Sequence, residues 1–391
     1  MPPELLNNDP AGFAWGVWCD RTPKLIQQIK DVNAYGPDQL RSLDLLLEEI
    51  QSGVMAPLDT WSAGREVWAK WGNEYFGKPW LQAPFLWSES YFYRRLLQAV
   101  GYFEPGPWRG LDLFAPLKET ELRDPALESD LESLHEMESR PVQALGQLKL
   151  LAALWGNRAD LGFRIQTALD PATAVHDQIL RDDSADLWKH LSPEATVIIV
   201  ADNAGRELIA DLLLMDHLLE QNLAGSISLH LKPRPYYVSD ATTGDLVSCL
   251  RRLTDTGGVA AAVSQRLRTT IADGRLTVDV NDFYCAPWSY HRMPASLRHA
   301  FEHASIVVMK GDLNYRRLVG DRHWSPSTPF EEVTGYFPAP VVALRTLKSD
   351  VVVGLEPDLL ERLDVTAESW RTNGRFGLIQ ANTDRRHRDT D

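Results

Sequence analysis

Up to about residue 180 the apolar positions recur three and four apart, the spacing of one helix face. The runs Leu40-Arg-Ser-Leu-Asp-Leu-Leu-Leu-Glu-Glu-Ile50, Tyr91-Phe-Tyr-Arg-Arg-Leu-Leu-Gln-Ala-Val100 and 142–154 all follow it. Strand candidates are scarce there, and the Pro/Gly-rich stretch Glu104-Pro-Gly-Pro-Trp-Arg-Gly110 predicts a loop between helices. Beyond residue 180 the period changes. Short β-branched runs at 196–200, 226–231, 276–280, 305–309, 341–344 and 351–353 alternate with helical stretches. Such alternation builds βαβ units around a mainly parallel sheet. The pattern predicts an α/β fold: an N-terminal all-helical domain at 1–180 and a Rossmann-like three-layer α/β/α domain at 181–391.

Composition agrees and removes several classes of function. The 391 residues are 44% apolar and 9% aromatic, enough for the cores of two domains. A net charge of -14 argues against nucleic acid and anionic membrane surfaces as partners, because both would be repelled. The basic cluster Arg385, Arg386 and Arg388 reads as a solvated end. No apolar run approaches the roughly 18 residues of a membrane span, and the N-terminus lacks the pattern of an export signal. A cytoplasmic protein is expected, its oligomeric state left open. Cys19, Cys249 and Cys285 are far apart and lack a CxxC spacing, so they are expected to be free thiols, mostly buried.

Polar residues gather just after the predicted strands, where open α/β sheets hold their ligands. Asp202, Asn203, Gly205 and Glu207 follow the first strand, and Asp240 follows the second. Gly311, Asp312, Asn314 and Arg316 follow the strand at 305–309, and Arg345 and Lys348 end the one at 341–344. Each has a plain reading. Asp202 and Asn203 suit a helix N-cap, Asp240 and the Gly311-Asp312 pair suit turns, and Arg345 and Lys348 suit solvated strand ends. Together they suggest more, because the ends of parallel strands converge in space. Two carboxylates and an amide oxygen are hard ligands suited to Mg2+ or Mn2+. With one cation bound, Lys348, Arg316 and the amides opening the helix after Asn203 leave a locally positive pocket for phosphate. A metal there would polarise a phosphoryl group and orient or ionise a water.

The segments Asp202-Asn-Ala-Gly-Arg-Glu207, Val238-Ser-Asp240, Lys310-Gly-Asp-Leu-Asn-Tyr-Arg-Arg-Leu-Val-Gly-Asp321 and Arg345-Thr-Leu-Lys348 resemble the metal-dependent damage-control phosphatases. The Arg-Thr-x-Lys element marks their third subfamily, also called acidic-residue methyltransferase-like proteins. Leu86-Trp-Ser-Glu-Ser-Tyr-Phe-Tyr-Arg-Arg95 and Leu154-Trp-Gly-Asn-Arg-Ala-Asp-Leu161 extend the likeness into the helical half. The resemblance implies a phosphatase for small phosphorylated metabolites, with fructose 1-phosphate or fructose 6-phosphate favoured and Mn2+, Mg2+, Co2+ or Ni2+ as cofactor. Residues 181–391 become the metal-binding catalytic domain. Asp202, Asn203 and Asp240 match the catalytic metal ligands. Substrate would meet Asp202, Asn203, Asp312, Leu313, Asn314, Tyr315, Arg316 and Lys348. Glu207 matches a position near the site, and Asn157 is a further candidate from the helical half.

Other chemistries are weaker on the residues. His299-Ala-Phe-Glu-His303 fits the zinc motif H-x-x-E-H, but at 100° per residue its polar members face away from Leu297, Ala300, Phe301 and Ala304. That is the pattern of a helix showing its polar side to water. An S-adenosylmethionine-dependent carboxyl methyltransferase would need a Gly-rich turn where this chain has Asp-Asn-Ala-Gly. A non-catalytic phosphosugar-binding protein is the third reading. The Walker, G-x-S-x-G and G-x-G-x-x-G loops are missing.

Overall fold

The computed structural model describes residues 1–137, 140–156, 178–365 and 369–383. Its centre is a seven-stranded sheet: β1 (Ile179–Asp182), β2 (Ser192–Val200), β3 (Ala224–Leu231), β4 (Leu276–Val280), β5 (Ile306–Lys310), β6 (Val341–Thr346) and β7 (Gly377–Asn382). The order across the sheet is β1-β7-β6-β5-β2-β3-β4. Neighbours are parallel except β6 and β7, so β1 and β7 run against the other five. From β2 the chain adds β3 and β4 on one side, then returns to add β5 and β6 on the other. The order reverses between β2 and β5, and open sheets bind ligands at that point, beyond the carboxyl ends.

The β-branched run of β2 explains its central place. Val197 and Ile199 join the core on one face of the sheet, while Ile198 and Val200 join the core on the other. Each such buried side chain contributes about 1.5–3 kcal/mol. On the first face the helix Gly205–Glu220 is buried along nearly its whole surface, because Val142–Trp155 covers its outer side. The second face carries Ala295–Glu302 and Gly311–Val319. A third core, rich in Trp and Tyr, lies within the N-terminal helices and takes in Trp18, Trp68, Trp80, Trp87 and Tyr91. Tyr236, Cys285 and Leu313 from the sheet half complete it. Val142–Trp155, though in the N-terminal half, packs into the sheet's core.

Five predicted strands appear within a few residues of the expected positions. The sixth, 351–353, does not: Val351, Val352 and Val353 are buried, but they lie outside the ladder. Their backbone groups are served by side chains instead. Arg345 donates to the Val351 carbonyl, Gln380 to the Val353 carbonyl (2.7 Å), and Val353 N–H reaches the Tyr315 hydroxyl (3.2 Å). The strands β1, at one edge, and β7 beside it had no counterpart in the sequence reading. Cys249 and Cys285 are buried free thiols and Cys19 is exposed. Among the described residues no helix is long and apolar enough to cross a membrane.

Candidate functional site

Beyond β2 the chain leaves the sheet at Asp202 and Asn203 and enters the helix Gly205–Glu220. Beyond β3 it forms the loop that ends at Asp240. The two segments zip together: Asn203 and Asp240 form an isolated antiparallel bridge, Ala241 N–H donates to the Asp202 carbonyl (2.9 Å), and Ala204 N–H donates to the Ser239 carbonyl (2.7 Å). Backbone pairing thus holds Asp202, Asn203 and Asp240 side by side. Across the reversal point, Gly311 opens the helix after β5 with φ 79°. A Cβ there would lie 1.9 Å from Asp202 Oδ2, so glycine is required for the Asp202 carboxylate to lie against the β5 turn.

The acidic groups crowd one another. Burial, then Glu207, then Asp240 push the Asp202 carboxyl well above the usual carboxylate range. Burial likewise raises Asp240, against Lys232, the Tyr237 N–H that Oδ2 accepts (3.1 Å) and Lys118. Lys232 Nζ is 3.9 Å from Asp240 Oδ2, fully buried and without a hydrogen-bond partner among the described residues. Asn203 is fixed from both ends of its amide. Nδ2 donates to Asp202 Oδ2 (3.0 Å) and Glu207 Oε2 (2.9 Å), and Oδ1 accepts from Ser239 Oγ (2.6 Å). Glu207 in turn pairs with Lys310 Nζ (3.4 Å).

This set fits a hard divalent cation by its chemistry. It offers two carboxylates and an amide oxygen with a second lone pair, in a cluster whose mutual repulsion a cation would relieve. Among the described residues no group of three or more His, Cys, Asp or Glu has metal-holding geometry. The candidate here is a mixed set of two acids and one amide.

The motif after β5 is placed otherwise than free substrate-binding side chains would be. Asn314 Nδ2 donates to the carbonyls of Ala201 (3.1 Å) and Lys310 (2.8 Å), tying the ends of β2 and β5 together, while Oδ1 accepts from Tyr290 (3.0 Å). Tyr315 bonds Gln380 (2.9 Å), and Leu313 joins the aromatic core. Arg316 grips Asp321 with two bonds (2.7 and 3.0 Å) and Glu89 with a third (3.0 Å). Asp312 Oδ1 accepts from Arg345 Nε (2.8 Å) and Ser349 Oγ (3.1 Å), which ties the start of Gly311–Val319 to the turn after β6. Burial raises the Asp312 carboxyl, but Arg345 and Arg316 more than offset this and hold it below its usual range. That turn presents Lys348. Its half-buried ammonium makes no hydrogen bond or ion pair with a described residue, and its positive charge favours ionised Asp202. Asn157 lies outside the described residues, as do Arg385, Arg386 and Arg388.

The helix amides after Asn203, expected to receive an anion from solution, already hold one. Glu121 Oε1 accepts from Arg206 N–H (3.3 Å). Glu121, Lys118 and Lys232 were absent from the sequence reading, which took in Glu89 only within the segment Leu86–Arg95 and gave it no role. Charges on a short helix read as a solvated face, and nothing local to Ala115–Leu122 marks its contact with loops more than 80 residues away. His299 and His303 are exposed, with His303 Nδ1 bonded to the carbonyl of His299 (2.7 Å). They end the helix leading into β5, at the amino edge of the sheet, opposite the cluster.

The chain resembles known proteins along nearly its whole length. A family described as the damage-control phosphatase ARMT1-like domain matches residues 18–363. Damage-control phosphatase ARMT1 of Mus musculus is 30% identical over 439 aligned residues, covering 97% of this chain and 98% of its own. The Homo sapiens protein of the same name is 28% identical with the same coverage. Among solved structures, a DUF89 family protein of Pyrococcus horikoshii superposes with a TM-score of 0.53 over 94% of this chain and 98% of its own. At 12% identity that likeness concerns the fold alone.

Proposed function

This chain belongs to the damage-control phosphatase ARMT1-like family, and from that premise we propose that its strand-end cluster is a divalent-metal-dependent phosphatase site for sugar phosphates. Fructose 1-phosphate and fructose 6-phosphate are the substrates of choice. The observation that carries the reading is the backbone zipper that sets Asp202, Asn203 and Asp240 together at the sheet's reversal point, within electrostatic reach of Lys348.

Asp202, Asn203 and Asp240 would hold Mn2+, Mg2+, Co2+ or Ni2+. A bound cation supplies Lewis-acid polarisation of the phosphoryl group and a water acidic enough to attack it. The chain's own residues do the rest. Lys348, whose ammonium has no partner among the described residues, balances charge on a phosphate oxygen. The first-turn amides of Gly311–Val319, which lack intrahelical acceptors, take further oxygens. The Asp312–Arg345–Ser349 lock keeps those amides and Lys348 in register. Glu207 orients the Asn203 amide. The reading places the protein in the cytoplasm, in keeping with its free thiols.

Replacement of Asp202 or Asp240 by Ala should lower phosphate release by at least about 10²–10³-fold while the protein stays folded by circular dichroism. Full activity in either variant at saturating metal would remove the assignment.

A further inference from the structure

Two lysines flank Asp240, and their surroundings are opposite. Lys118 Nζ has an acceptor for each of its three donors: the Asp240 carbonyl (2.7 Å), Asp112 (2.8 Å) and Asp245 (2.9 Å). It is a structural tie between the helix Ala115–Leu122 and the loop that ends at Asp240. Lys232 is the first residue beyond β3, where its backbone N–H donates to the Ala241 carbonyl (2.9 Å) and closes the base of the same loop. Its side chain is buried, and its ammonium meets no hydrogen-bond acceptor among the described residues. It faces Asp240 Oδ2 across 3.9 Å, with the Tyr284 ring centred 5.9 Å away. Burying an ammonium without hydrogen bonds is costly, and an apolar side chain of similar length would cost the fold less. The two oxygens of Asp240 also differ. Oδ2 accepts the Tyr237 N–H (3.1 Å) and faces Lys232, whereas Oδ1 receives no hydrogen bond from a described residue. Oδ1 is therefore the oxygen left for a cation, while Lys232 stands at the other.

We propose that Lys232 is a positioning residue that acts through Asp240: its buried charge weakens the site's hold on a divalent cation and strengthens the loaded site's hold on phosphate. The inference rests on the reading of Asp202, Asn203 and Asp240 as the metal site. Without metal, the Lys232 charge is the counter-charge that Asp240 faces. A cation arriving at the same carboxylate meets that charge as repulsion, little screened because the ammonium is out of water. Once the cation is bound, Asp202 and Asp240 cancel its two charges. The charge of Lys232 is then added to the field that a phosphate dianion meets. One lysine thus moves affinity from the cation to the anion.

The test is calorimetric titration of chelator-stripped protein with Mn2+, then of the manganese-loaded protein with inorganic phosphate, in wild type, Lys232→Met and Lys232→Gln. Circular dichroism checks that each variant is folded. Methionine nearly matches the lysine stem, and Asp240 Oδ2 keeps the Tyr237 N–H, so the fold should hold. Both variants should bind Mn2+ at least about tenfold more tightly and phosphate at least about tenfold more weakly, the opposed shifts that loss of one buried charge dictates. Lys232→Gln keeps a hydrogen-bond donor, so a Gln variant that behaves as wild type would overturn the proposal in favour of hydrogen bonding. Loss of both affinities would make Lys232 a structural prop of the Asp240 loop and overturn it as well, as would no change in either. Wild type that takes up no Mn2+ would overturn the metal-site reading, and this proposal with it. Wild type that binds the metal while both variants match it would overturn this proposal alone.

Discussion

Replacing Arg345 with Met separates a structural role from a substrate-binding one for the Arg-Thr-x-Lys element. Arg345 is fully buried. Nε and Nη2 meet Asp312 Oδ1 at 2.8 and 2.7 Å, Nη2 also reaches Ser349 Oγ (2.9 Å), and Nη1 serves the Val351 carbonyl. The guanidinium lies 4.2 Å over the Tyr315 ring. Methionine fills much of the volume and supplies no donor. Asp312 then keeps Ser349 Oγ (3.1 Å) and a weak Lys348 N–H (3.4 Å), and the Val351 carbonyl loses Arg345. Removing one partner of a buried pair costs about 3–5 kcal/mol, a large part of the roughly 5–15 kcal/mol that holds a domain folded. Urea unfolding should show that loss. The double variant Asp312→Asn/Arg345→Met should be less damaged than the sum of the two singles, because the stranded charge is gone. A loss below about 1 kcal/mol in Arg345→Met, combined with a collapse of activity, would refute the reasoning and make Arg345 a substrate ligand.

Two further outcomes follow from the same geometry. Lys348→Ala should raise KM and lower kcat, together about 10²-fold in kcat/KM, while unfolding shifts by less than about 0.5 kcal/mol because the ammonium has no partner among the described residues; unchanged kinetics would remove its role. Burial depresses His217 and His230 from 6.5 to about 4, so the folded protein disfavours their protonation. The stability they confer is complete above pH 6.5 and is lost as pH falls towards 4, by about 2 kcal/mol per histidine at pH 5. His230→Gln should show a smaller drop between pH 7.5 and 5 than wild type in urea titrations, and an equal drop would contradict the shift.

The parts legible in the sequence are those where a local pattern and a global requirement coincide. β2 announces itself because Thr196-Val-Ile-Ile-Val200 is buried on both faces, and its reversal against β5 brings Asp202 to the turn at Gly311. The polar face of His299 and His303 was equally readable from helical period. β1 escaped because Ile179-Leu-Arg-Asp182 is short, and β7 because Gly377-Leu-Ile-Gln-Ala-Asn382 is poor in β-branched residues, with Gln380 spending its side chain on Val353. Residues 351–353 misled for the opposite reason: the apolar run reflects burial under Arg345 and Tyr315, not a ladder. At the site, the strand-end acids were readable, but the fate of their neighbours was not. Whether Arg316 meets solvent depends on Glu89, 227 residues away in sequence, and whether a helix start is free depends on Glu121, 85 residues from Arg206.

The most direct test is phosphate release from fructose 1-phosphate and fructose 6-phosphate by protein stripped with chelator, with and without added magnesium, manganese, cobalt or nickel. Release that vanishes on stripping and returns with a divalent cation is the expected result. Undiminished release from stripped protein would contradict the metal site at Asp202, Asn203 and Asp240, and no release with any metal would contradict the sugar phosphatase reading.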